Sequence, residues 1–214
     1  MTDLAWVFLG AATVFAAGNW LAVEVETERT KPLEWVCKPL TLLSLIGLAL
    51  AIDPVDDTVR IWFVVALVFS LAGDVFLMLP KERFQLGVGA FAVAHLAYAG
   101  GFVADGLEPM GIVAGLALVG MGVFALGRPI VAAVRQESPG DVVPIQVYLA
   151  IISIMVVTAV GGGNAVAIAG AWLFSISDAT IAWSRFITPF PHHRLAIMTT
   201  YHVGQALLVL SLLG

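Results

Sequence analysis

Charge is scarce in this chain, and cysteine scarcer still. Only 12% of the residues are charged and 60% are hydrophobic, where a soluble domain carries about 25% charged residues. The shortfall points to lipid as the solvent. The single cysteine, Cys37, excludes an intrachain disulfide and any cysteine-built metal cluster. Lysine and arginine number 10 against 15 acidic residues, a net charge of −5; nucleic acid is therefore not an expected partner. The 4 histidines lack HExxH-type spacing, so no metal site is expected. "GVGAF" and "GGGN" follow no strand. They read as close helix packing and a tight outer turn rather than phosphate loops, and no cofactor is implied. No spacer or low-complexity tract divides residues 1–214, which read as one polytopic domain. The apolar N-terminus lacks a basic n-region, Asp3 being its only charge. Leu4 to Val23 is therefore expected to remain as a membrane helix rather than be cleaved as a signal peptide.

What fills the chain is a series of long apolar runs. A membrane helix needs about 20 mostly apolar residues. Eight segments qualify, at about 4–23, 35–52, 60–79, 84–104, 110–127, 143–160, 164–183 and 195–213. The expected fold is an all-α membrane protein of eight transmembrane helices, since lipid leaves the backbone no other hydrogen-bond partners. Trp6, Trp20, Trp35, Trp62 and Trp183 fall near span ends, as an aromatic belt would.

Loop charge predicts the orientation. Arg29, Lys31, Lys38, Lys81, Arg83, Arg128, Arg135, Arg185 and Arg194 lie in or beside the four odd-numbered loops. The opposite side holds only Arg60. Cytoplasmic loops carry the excess of lysine and arginine, so both termini are expected on the outer side of a cell (inner) membrane. His192 and His193, beside Arg194 in "FPHHR", read as a solvated cytoplasmic loop or a headgroup contact.

Two acids are out of place. Of the 15 acidic residues, only Asp74 and Asp178 fall inside apolar runs. An aspartate at a helix centre costs roughly 2.5–3.5 kcal/mol on insertion scales, and such residues are functional or paired. By helix rise, Asp74 and Asp178 each lie about 7 Å inside the cytoplasmic end of their spans. Tyr201 lies about 9 Å in and Lys38 about 5 Å in, which makes one polar layer from four helices. His95 and Gln205 fall about 15–16 Å deep, in a second layer. Tyr201 and Gln205 share a helix face at i and i+4, and Ser70 stands four before Asp74 on its face. Hydrogen-bonded helix glue is the bland reading. Two carboxylates and a lysine at matched depth favour a polar cavity toward the cytoplasmic side, suited to acid–base work. "FSLAGDVFLM" also echoes "FSISDATIAW", a weak sign of a repeat of four plus four helices.

Those residues lie in segments that resemble a known family. "CKPLTLL", "VFSLAGDVFLML", "FAVAHLAYAGGF", "LFSISDATIAWSRF" and "IMTTYHVGQALLVLS" are similar, in order, to the YhhN family of membrane proteins, the lysoplasmalogenases. The resemblance runs from about Lys38 to the end and rests on the Gly-Asp, Ser-Asp (Ser177-Asp178) and Tyr-x-x-x-Gln signatures together. It implies hydrolysis of the vinyl-ether bond of a lysoplasmalogen, a lysophospholipid, to a fatty aldehyde and a glycerophospho-base. It also implies Asp74 and Asp178 as the essential pair, with Lys38, His95, Ser177, Tyr201 and Gln205 in support. Which aspartate is acid and which is base stays open.

Two rival classes use intramembrane acids. Intramembrane aspartyl proteases carry Tyr-Asp, Gly-x-Gly-Asp and Pro-Ala-Leu signatures. Here Leu71 stands where the first glycine is required, Ser177 precedes Asp178, and Pro-Ala-Leu does not occur. A proton-coupled transporter or lipid-binding scaffold would favour paired broken helices, and no strongly interrupted pair stands out.

Overall fold

The computed structural model describes residues 1–79 and 83–214, so Lys81 of the basic-loop count lies outside the described residues. Nine helices follow in order among them: α1 Asp3–Val25, α2 Lys31–Ala51, α3 Asp57–Met78, α4 Phe84–Asp105, α5 Pro109–Gly122, α6 Arg128–Glu137, α7 Val142–Gly162, α8 Ala165–Phe186 and α9 His193–Leu210. The described residues contain no strand. Eight spans are long and apolar enough to cross a membrane, the fifth running through α5 and α6 as Pro109–Glu137. Spans one to four are α1 to α4, and spans six to eight are α7 to α9.

Helix starts follow from local chemistry. The first N–H groups of a helix lack intrahelical partners, and a short polar side chain supplies one. Thr2 accepts from the Ala5 N–H, Asp56 from those of Thr58 and Val59, and Asn164 from those of Val166 and Ala167. Gly163, at φ 76°, ends α7 in the left-handed region, which glycine enters without a Cβ penalty. "GGGN" is thus a tight turn.

Arg128 and Arg135, expected in the loop between spans five and six, sit on α6 instead. A π-helical turn, Val123–Gly127, joins α5 to α6 without a break. Pro129 has no N–H for the helical ladder. The wider turn just before it keeps the helix going, with the Arg128 N–H reaching back to the Val123 carbonyl.

The helices sort their connections to two ends. At one end Arg194 pairs with Glu26 at 2.8 Å and Glu34 at 2.7 Å, and His192 Nδ1 lies 2.7 Å from Glu24. The "FPHHR" segment therefore ties α9 to α1 and α2 rather than hanging free. At the other end the Thr2 hydroxyl donates to the Ala51 carbonyl and the Val55 N–H to the Leu212 carbonyl.

Inside, small residues set the closest approaches. A Cβ on Gly170 would lie 2.9 Å from the Gly204 carbonyl oxygen, and one on Gly204 would lie 2.9 Å from the Phe174 nitrogen. These glycines let α8 and α9 cross backbone to backbone. At Gly73 a Cβ would meet the Phe91 ring at 2.7 Å, which brings α4 hard against α3 beside Asp74. Outward, Val14, Met110, Phe124 and Val143 are exposed. Apolar surface on this scale belongs against lipid rather than water. The chain is a multi-pass integral membrane protein.

Candidate active site

Asp74 and Asp178 are both buried, at 1% and 8% exposure. Each is held by two polar side chains from two other helices. Asp74, on α3, has Oδ1 at 3.1 Å from the Lys38 ammonium of α2. Its Oδ2 accepts a 2.9 Å hydrogen bond from the Tyr201 hydroxyl of α9. Both carboxylate oxygens therefore face a donor, and the neighbouring charge is a buried cation.

Asp178, on α8, sits in a different setting. Its Oδ2 lies 3.2 Å from His95 Nε2 of α4 and accepts a 3.0 Å hydrogen bond from the Tyr148 hydroxyl of α7. His95 is itself fixed. Its Nδ1 is 2.6 Å from the Phe91 carbonyl oxygen, one turn back on the same helix. The His95 ring also packs 4.5 Å from the Phe174 ring, centroid to centroid. Gly73 admits Phe91 against α3, and that packing sets the register in which His95 meets Asp178.

Gln205 is bonded one turn along α4 from His95, to Tyr98. Its Oε1 accepts from the buried Tyr98 hydroxyl, while its Nε2 is buried without a protein partner among the described residues. Ser70 Oγ, one turn before Asp74, is buried and likewise unpartnered, as are both side-chain polar atoms of Asn19. Buried polar atoms of this kind are ordinarily met by ordered water. Ser177 donates to the Ile197 carbonyl at 3.1 Å, so it fastens α8 to α9 and does not touch the carboxylates. His202 is buried at the α1–α9 contact, accepting from Trp20 Nε1 at 3.1 Å.

Sequence reasoning did not single out Tyr148 or Tyr98. Tyr148 was within reach of the same depth argument. It lies six residues into α7, about 9 Å along the axis, level with the acid layer. Tyr98 carried a weaker signal, being three residues beyond His95 and so on its face.

One side of this cluster opens into an apolar crevice of about 140 Å³, bounded by α3, α4, α5, α6, α7 and α8 and walled by Val119, Gly122, Leu126, Ile152 and Trp172. Asp178 and Tyr148 line it, whereas Asp74, Lys38 and Tyr201 do not. The crevice follows the π-helical turn of span five, the span that buries the smallest share of its residues. No group of three histidine, cysteine or acidic residues could hold a metal ion among the described residues.

Eight spans enclosing two buried, separately partnered carboxylates, one of them lining an apolar crevice, define a polytopic membrane protein with an intramembrane acid pair. The particular family follows from comparison: residues 33–212 match the YhhN family, and the chain belongs to it. It is 34% identical to human "Lysoplasmalogenase TMEM86B" over 184 residues, 85% of this chain and 77% of that protein. Human "Lysoplasmalogenase TMEM86A" is 34% identical over 160 residues, 69% of this chain and 63% of that protein. The Escherichia coli "Uncharacterized membrane protein YhhN" is 38% identical over 79 residues, 37% of this chain and 38% of that protein. No solved structure matches the chain.

Proposed function

We propose that this protein hydrolyses the vinyl-ether bond of a lysoplasmalogen within the membrane, using Asp74 and Asp178 as an acid–base pair. The protein is an ether-bond hydrolase. The relatives' names support the substrate class, and one observation carries the site: two buried carboxylates with unlike partners, one of which, Asp178, lines an apolar crevice. Protonation of the outer alkene carbon of a vinyl ether leaves an oxocarbenium ion, to which water adds before the hemiacetal collapses. That sequence needs a positioned acid and a carboxylate to stabilise the cation or activate water. Glycoside hydrolysis meets the same need with two carboxylates.

The alkenyl chain lies along the apolar crevice, with the glycerophospho-ethanolamine or -choline head toward the end that carries Arg194. That end faces the cytoplasm in this proposal, supported by the distribution of lysine and arginine, and the protein sits in the cell (inner) membrane. Lys38 holds Asp74 rather than reaching for phosphate.

The test is purified protein incubated with lysoplasmenylethanolamine and assayed for aldehyde, beside Asp74→Asn and Asp178→Asn. Wild type is expected to release aldehyde and each folded variant to lose at least 100-fold, the lower end of general acid–base effects of about 10²–10⁴. Robust release from either folded variant refutes the paired mechanism.

A further inference from the structure

We propose that one exchangeable proton is held between His95 Nε2 and Asp178 Oδ2, which makes Asp178 the acid of the pair and Asp74 the standing carboxylate. This assignment rests on the vinyl-ether reading for its chemistry, although the proton itself does not.

Hydrogen-bond bookkeeping leads there. A carbonyl oxygen only accepts, so the 2.6 Å approach of His95 Nδ1 to the Phe91 carbonyl places a hydrogen on Nδ1. In a neutral ring Nε2 then carries a lone pair. Nε2 is buried and makes no hydrogen bond, and the polar atom beside it is Asp178 Oδ2, at 3.2 Å, in a site where the His95 side chain has 0% exposure. An ionised carboxylate there would set lone pair against lone pair in a dry interior. A single proton removes the conflict, whether it rides on Nε2 or on Oδ2. The second contact agrees: a carboxylic O–H donating to Nε2 still accepts from the Tyr148 hydroxyl, 3.0 Å from the same oxygen. Asp74 has no such gap to fill. Lys38 and Tyr201 supply a donor to each of its oxygens, at 3.1 and 2.9 Å.

The surroundings divide the work in the same way. Asp178 faces the crevice that takes the chain, whereas Asp74 does not. Ser70 and Gln205, each with an unpartnered buried polar atom, flank the Asp74–Tyr201 contact one turn away on α3 and α9. Asp178 therefore meets the alkene from the apolar side, and Asp74 meets water from the polar side.

The steps balance. The Oδ2–H bond of Asp178 breaks as the alkene π pair forms a C–H bond at the outer carbon, leaving the cation shared with the ether oxygen. Water bonds to the cationic carbon and gives a proton to Asp74. In the collapse, the hemiacetal O–H returns its proton to Asp178. The C–O bond to glycerol breaks, and Asp74 protonates the departing oxygen. Both carboxyl groups end as they began. His95 and Tyr148 are positioning residues, holding the proton and the carboxyl orientation.

The deciding experiment is spectroscopic and needs no substrate. Protein labelled with ¹⁵N-histidine is studied in detergent by NMR of the ring nitrogens and by infrared absorption of protonated carboxyl groups, with His95→Gln used for assignment. Wild type is expected to show either a doubly protonated His95 ring or a carboxylic-acid carbonyl band. That signal disappears in Asp178→Asn and survives in Asp74→Asn. Tyr148→Phe keeps the proton and shifts the signal, since one hydrogen bond to Oδ2 is gone. A wild-type His95 protonated on Nδ1 alone, with no carboxylic-acid band, overturns the proposal. So does a signal that Asp74→Asn removes, or one that Tyr148→Phe leaves unmoved. Aldehyde release reports separately: wild type inactive on lysoplasmenylethanolamine but carrying the proton means that the substrate reading fails and the shared proton stands.

Discussion

Replacing Lys38 with methionine separates what the buried pair does for the fold from what it does for chemistry. Lys38 and Asp74 are 7% and 1% exposed in their side chains, at 3.1 Å. At an effective dielectric of about 20, charges at that spacing attract by roughly 5 kcal/mol. Removing one partner leaves an uncompensated buried charge, at a cost of about 3–5 kcal/mol. Methionine keeps the length and apolar bulk of the lysine stem, so little of the loss comes from packing. At about 2–4 °C per kcal/mol for a chain of this size, the midpoint of thermal unfolding in detergent should fall by roughly 10 °C. Asp74→Asn strands the ammonium instead and should cost a similar amount. The double variant Lys38→Met/Asp74→Asn buries no charge there, so it should be more stable than either single variant while releasing no aldehyde. The measurement is a double-mutant cycle on unfolding midpoints, with aldehyde release alongside. Simple addition of the two single losses would refute the coupling, and with it the claim that Lys38 holds Asp74.

Tyr201→Phe removes a hydrogen bond to the same carboxylate and should cost about 1.5–3 kcal/mol, read in the same unfolding assay. Gly204→Val drives a side chain into the α8–α9 crossing, where Cβ alone would stand 2.9 Å from a backbone nitrogen; it should lose at least 1–3 kcal/mol, as overpacking typically does, roughly. Gly10→Ala, with nothing within 4 Å of its Cβ, should change the midpoint little. Gly122→Leu projects into the crevice, and its Cβ lies an ordinary 3.8 Å from Trp172. It should raise KM for long alkenyl chains while sparing kcat on short ones, measured by aldehyde release across a chain-length series. With Cys37 buried, cysteines introduced at Asp105 and Ser138 report orientation: outside reagent should label position 105 and leave position 138 untouched.

How much of this was legible in the sequence depended on contrast. Asp74, Asp178 and Lys38 stand out because a charge in an apolar run is costly enough to need a reason, and helix rise alone placed them at one depth. Span ends were legible for the same reason, Gly and Pro interrupting long apolar runs. The fifth span was not, because Arg128 and Pro129 together look like an end. A π-helical turn let the helix absorb both. Depth left partners open. His95 and Gln205 share a depth by distance from the helix end; the structure sets His95 3.2 Å from Asp178 and gives Gln205 the Tyr98 hydroxyl. Rise per residue fixes height along an axis but not tilt or side-chain direction. Tyr148 stayed hidden because a tyrosine near a span end is ordinary, and only the position of α8 shows what its hydroxyl meets.

The partner pattern bears on the four-plus-four repeat, which we propose as the organisation of this single domain. Asp74 lies on span three and takes its partners from spans two and eight. Asp178 lies on span seven and takes its partners from spans six and four. Advancing each span by four, cyclically, converts the first set into the second, as a parallel pseudo-twofold would. The positions correspond but the chemistry does not: a lysine in one half stands where the other half has Tyr148, and a tyrosine where the other has His95. Two identical half-sites would give two carboxylates with the same proton affinity, competing for one role. In the proposed division, the lysine pairs with one carboxylate, and the histidine and the other carboxylate share a proton. Lys38→Tyr makes the halves more alike, and a second carboxylic-acid infrared band should arise from Asp74. Absence of that band in the folded variant would mean that the lysine is not what separates the two acids.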